Sequence, residues 1–172
     1  MKQFTLFRIL SYTLLPFAIF FGFMNFFFIA SAFANPSIFF LAFLIAGFCI
    51  YTFSNLIFLT RHIDTGIHAK SSLKDWIKVN AYATLILGFM FLINALGIFF
   101  MPEATLRTTI SKFLDEVPNL PPQMNVSIFI KILRGVSYFL FFFSILTLVQ
   151  VFMSLKLLKQ FAPLFTTESV EK

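Results

Sequence analysis

Ile9 to Thr60 reads ILSYTLLPFAIFFGFMNFFFIASAFANPSIFFLAFLIAGFCIYTFSNLIFLT, a run without one Asp, Glu, Lys, Arg or His. A bilayer core about 30 Å thick takes about 20 apolar residues in helix, so this run suffices for two crossings. It is divided at Ala34-Asn35-Pro36-Ser37. Asn is a good helix N-cap, and Pro is tolerated at the first helical position, where its missing N–H would have no partner. The reading is therefore two helices, about 10–34 and 36–60, joined by a tight turn. Pro16 falls inside the first of them and removes the bond to the Tyr12 carbonyl, so a kink is expected there.

Two further charge-free stretches, 79–102 and 135–155, predict spans of about 79–101 and 128–156. The rest of the composition agrees. Of 172 residues, 59% are hydrophobic and only 12% charged, against about 25% charged in a soluble domain. Strand alternation is missing, and an unbroken apolar run satisfies its backbone in lipid only as a helix. The predicted fold is an all-α integral membrane protein. It is read as a single membrane domain over 1–172, with four transmembrane helices in an antiparallel bundle.

Four spans put both termini on one side. That side carries Lys2, Arg8, Arg61, Lys70, Lys74, Lys78, Lys156, Lys159 and Lys172, against Arg107, Lys112, Lys131 and Arg134 on the other. Nine cations against four place both termini in the cytoplasm of a cell membrane, and the net charge of +6 then faces anionic lipid rather than nucleic acid. A cleavable signal peptide is disfavoured, because the apolar stretch before Ala32-Phe33-Ala34 is about 20 residues, longer than the usual 7–15.

The segment 102–127 reads as an external amphipathic lid. Leu106, Ile110, Phe113, Leu114 and Val117 share one helical face, with Glu103, Arg107, Lys112, Asp115 and Glu116 elsewhere. Pro118 to Pro122 ends it. In the loop 61–78, Gly66 suits a turn, and Ser72 with Asp75 has capping-box spacing. The tails at 1–8 and 160–172 read as mobile.

Chemistry is sparse. No acid, Lys, Arg or His lies in the charge-free spans, so a proton-coupled carrier lacks its membrane carboxylate. His62, Asp64 and His68 could ligate a metal in principle, but their spacing matches no established site and solvated loop residues are the simpler reading. Cys49 is the only cysteine and reads as a packed apolar residue. No nucleophile–base set, phosphate loop or cofactor motif is present, and an enzyme is not expected.

The candidate functional residues are the intramembrane amides Asn25, Asn55, Asn94 and Gln150, expected as an outer pair and an inner pair. An unpaired amide in hydrocarbon is costly, so each predicts either an interhelical hydrogen bond or a polar lining. Lys131 and Arg134, at i and i+3, could hold lipid headgroups or the acids of the lid. Small residues at Ala18/Gly22, Ala30/Ala34, Ala42/Ala46 and Thr84/Gly88 predict close helix packing. The leading expectation is a non-enzymatic accessory, scaffold or interaction subunit, acting through lipid, a membrane-protein partner or a second copy of the chain. The alternative is a small channel or carrier for a neutral or lipidic solute, lined by the amides.

Overall fold

The computed structural model describes residues 2–116 and 125–165. Among them there is no strand. The order is α1 (Lys2–Ala32), α2 (Ile38–Ile57), a π-helical turn (Phe58–Ile63), α3 (Ser71–Phe100), α4 (Glu103–Glu116), α5 (Val126–Gln160) and a 3₁₀ turn (Ala162–Phe165). Four helices, counting α2 with its π turn, are 26 to 35 residues long and apolar enough to cross a membrane. The protein is an all-α multi-pass membrane bundle by length and composition, with the short amphipathic helix α4 between its third and fourth spans.

The helices outrun the predicted spans because hydrocarbon thickness limits only the apolar part, while the backbone continues its own hydrogen bonds into the polar interface. Residues 2–8, read as a mobile tail, are the first turns of α1. α1 continues through Pro16, whose exposed ring lies on the outer face. Asn35 does not cap a helix at Pro36. Its side-chain oxygen accepts the Ser37 N–H at 3.1 Å, its carbonyl accepts the Ile38 N–H at 3.0 Å, and α2 begins two residues later than predicted. The capping-box reading also fails: α3 already starts at Ser71, so Ser72 is inside the helix. Asn125 does cap α5, its side-chain oxygen taking the Ile128 N–H at 3.1 Å. Val117, and the stop at Pro118–Pro122, lie outside the described residues.

Contacts gather into two compact units, Met1–Gly88 with Leu146–Lys172, and Phe89–Ile145. Helices α3 and α5 each contribute to both.

In the first unit Tyr51, Phe58, Ile77, Ala81, Val151 and Leu158 form a buried cluster, and Phe7, Leu59 and Leu157 a second. The 3₁₀ turn folds back on this core. Phe165 stacks on Phe58 at 5.2 Å between ring centroids, and the Ala69 N–H donates to the Leu164 carbonyl at 2.8 Å. The segment 161–165 is thus docked rather than mobile, and Lys172 lies outside the described residues. Gly66 makes the loop turn at φ +70°, a conformation L side chains avoid. Arg8 on α1 forms an ion pair with Asp64 just past the π turn.

In the second unit α4 lays Leu106 and Ile110 on Ile130 of α5, with Leu114, Phe129 and Leu133 packed around them. Phe113, predicted on the same stripe, stays exposed but meets Phe129 edge-on. Phe99 of α3 packs on Tyr138 of α5 at 4.9 Å between centroids.

Many other large apolar side chains face outward, with Phe26 at 75% and Phe100 at 82% exposure. Surface of that kind is stable against lipid tails and not against water.

Candidate functional site

A set of uncharged polar side chains lies in the buried interior of the first unit. α2 contributes Tyr51, Thr52 and Asn55, and α5 contributes Thr147, Gln150 and Ser154. The latter three follow at i, i+3 and i+7, one stripe of a helix. Ser11 comes from α1, and Asn80 and Thr84 from α3.

Among the described residues, two hydrogen bonds join side chains of this polar layer across helices. Gln150 donates through Nε2 to the Ser11 hydroxyl at 3.3 Å, tying α5 to α1. Ser154 donates to the Asn55 side-chain oxygen at 2.5 Å, tying α5 to α2. The remaining donors turn back on their own helices. Asn55 Nδ2 donates to the Tyr51 carbonyl at 2.9 Å, Asn80 Nδ2 to the Trp76 carbonyl at 2.8 Å and Thr84 to the Asn80 carbonyl at 2.7 Å. Three buried polar atoms here have no hydrogen-bond partner among the described residues: Tyr51 Oη, Thr147 Oγ1 and Gln150 Oε1. The Tyr51 hydroxyl lies beside Ser154 and Asn55, but meets neither in hydrogen-bond geometry.

The inner pair of amides, Asn55 and Gln150, therefore binds across helices, each to a serine rather than to the other. The outer pair behaves differently. Asn25 is buried, and its side-chain oxygen is without a partner among the described residues. Asn94 corrects the sequence reading, since it is exposed on α3 and its amide donates only to the Met90 carbonyl one turn back, at 2.7 Å. No aliphatic or aromatic periodicity separates the faces of α3, so the direction of Asn94 had no signal in the sequence.

Arg134 of α5 lies 3.7 Å from Glu103 Oε2, and Arg107 holds Oε1 of the same acid at 2.8 Å. Arg134 thus reaches an acid of α4, one of the two contacts foreseen for it. Lys131 is exposed and has no ion pair among the described residues. In the loop, His62 Nδ1 lies 3.1 Å from the Ile67 carbonyl and Asp64 is taken by Arg8. Cys49 donates to the Ala18 carbonyl at 3.3 Å, and a methyl on Gly22 would lie 3.6 Å from its sulfur, so this part of α1 and α2 is closely packed as expected.

No family model matches the sequence, and no curated protein or solved structure shows significant similarity to it.

What this arrangement can do is limited by its chemistry. The buried layer holds hydroxyls and amides and no carboxylate, imidazole or amine. It can exchange hydrogen bonds with neutral groups and join helices. Ser11, Tyr51, Asn80, Thr147 and Ser154 were not singled out from the sequence, although the i, i+3, i+7 spacing of Thr147, Gln150 and Ser154 in an apolar run was a usable signal.

Proposed function

We propose that the protein is a non-enzymatic integral membrane subunit that works by associating with another membrane-embedded chain, either a protein partner or a second copy of itself. The observation that carries this reading is the outward-facing amide of Asn94. It sits six residues before the end of α3 at Phe100, about 9 Å along the helix axis. One of its N–H groups is used by Met90, which leaves the second N–H and the side-chain oxygen without partners among the described residues. Lipid tails offer neither donor nor acceptor, so a neighbouring helix is the natural source of both. Gly97, three residues on, shares that face and has nothing within 4 Å of where a Cβ would stand, so a second backbone can come close.

The test is a cysteine at position 94 or 97 in a Cys49→Ala background, oxidised in native membranes. A discrete crosslinked species, weakened by Asn94→Leu on the companion position, is expected. A chain that stays monomeric under crosslinking and in mild detergent would remove the reading.

A carrier for a neutral solute is the second reading, favoured by the unpartnered Tyr51 Oη, Thr147 Oγ1 and Gln150 Oε1. It requires a liposome flux that Gln150→Leu abolishes while the fold survives.

We place both termini in the cytoplasm, on the nine-to-four cation excess. A cysteine at Lys70 should resist a membrane-impermeant thiol label added outside intact cells.

A further inference from the structure

We propose that the groove between α3 and α5, at the end of the bundle that carries the termini, binds an anionic phospholipid of the adjoining leaflet. The groove encloses about 480 Å³ and is lined by Lys74, Lys78 and Tyr82 of α3 and by Leu155, Leu158 and Lys159 of α5. Lys74, Lys78 and Tyr82 follow at i, i+4 and i+8, which makes them one stripe of α3. The stripe crosses the boundary where the charge-free run begins at Val79. Lysines therefore mark the polar end of the groove, and Tyr82 lies about 6 Å deeper than Lys78. Across from it, Leu155 and Leu158 supply an apolar wall, and Leu158 is only 1% exposed.

The three ammonium groups have no carboxylate partner among the described residues. Asp75, next to Lys74 in the chain, lines a different groove with Ser72, Trp76 and Val79. Lys74 is held 5.7 Å above the Phe165 ring, an attraction that leaves its charge uncompensated. Three cations gathered on one groove repel one another, and an anion entering it relieves that repulsion.

The chemistry that fits both ends is a phosphate joined to an acyl chain. The phosphate meets the lysines at interface depth, and the chain runs along Tyr82 and Leu155 toward the membrane interior. A free phosphate would satisfy only the polar end. The comparable groove between α1 and α5 has one cation, Lys156, and so lacks the charge density. The proposal needs the chain to be in a bilayer and is independent of any protein partner.

The experiment places the full chain in phosphatidylcholine nanodiscs doped with phosphatidylglycerol and counts retained lipids by native mass spectrometry. Selective retention of phosphatidylglycerol is expected. Each lysine contributes about a fivefold preference at an anionic surface, so the variant Lys74→Gln/Lys78→Gln/Lys159→Gln should lose about a hundredfold of that retention. Lys159→Gln alone, on an exposed site, gives the smaller loss in the same direction if the triple variant does not fold. The Lys→Arg triple should retain the lipid. Equal retention by Lys159→Gln and wild type, equal retention of phosphatidylcholine, or full displacement by soluble glycerol phosphate would each overturn the proposal. The last outcome would assign the groove to a free phosphate.

Discussion

Gly47 of α2 faces Ala83 of α3 so closely that a methyl group on Gly47 would stand 2.7 Å from the Ala83 Cβ. Both residues are buried, and the Asn80 side-chain oxygen would be 3.7 Å from the same methyl. Gly47→Ala should therefore destabilise the fold by about 1–3 kcal/mol despite the better helix propensity of alanine. Gly22→Ala is the control, since its methyl would meet Cys49 Sγ at an ordinary 3.6 Å. Unfolding in mixed micelles with rising SDS distinguishes the two. Equal midpoints would mean that α2 and α3 are not in this contact.

Ser154→Ala removes the donor to the Asn55 side-chain oxygen and leaves a buried acceptor unmet. The expected loss is about 1–2 kcal/mol. A double-mutant cycle with Asn55→Ala isolates the pair. The longer Gln150–Ser11 contact, at 3.3 Å, should give the smaller coupling of the two cycles.

Phe165→Ala deletes a ring that stacks on Phe58 and lies beneath Lys74. The site is at the edge of the core, so about 3 kcal/mol is the expected scale. The effect should be local. Hydrogen exchange at the Ala69 amide, which donates to Leu164, should accelerate far more than at the Ile77 or Ala81 amides in the core of α3.

The pairing of Arg8 with Asp64 spans partly exposed side chains, 45% and 33% accessible. A cycle through Arg8→Gln and Asp64→Asn should give less than about 1 kcal/mol, and the value should fall as salt is added. A coupling unaffected by salt would mean that the pair is shielded from solvent.

The four spans were legible because hydrocarbon leaves the chain few choices. Runs such as 79–101 have one stable answer in lipid, whatever their detailed order. The amphipathic α4 was legible for a different reason: Leu106 and Ile110 recur at helical spacing against a charged background. Within α1 and α3 that contrast is missing, because apolar residues surround the whole helix. Asn94 could point either way there, and the sequence reading turned it inward. Helix ends such as Ser71 were misplaced because charge marks where the bilayer stops, not where the backbone stops being helical. The partners of Asn55 and Gln150 depended on how α5 is registered against α1 and α2. No residue in either helix records that register alone, and the same holds for Arg8 and Asp64, which lie 56 positions apart.

The joint at Phe58–Ile63 is a π turn, in which Asp64 bonds back to Leu59 at 3.0 Å, a step of five residues. Such a turn stores one surplus residue. Counting, rather than chemistry, is then what aligns its two ends: Phe58, its first residue, meets Phe165, and Asp64 just after it meets Arg8. Shortening 58–63 by a single position would let the helix close normally and swing everything downstream out of phase. Insertions and deletions in this joint should therefore be less forgiving than exchanges of one side chain for another.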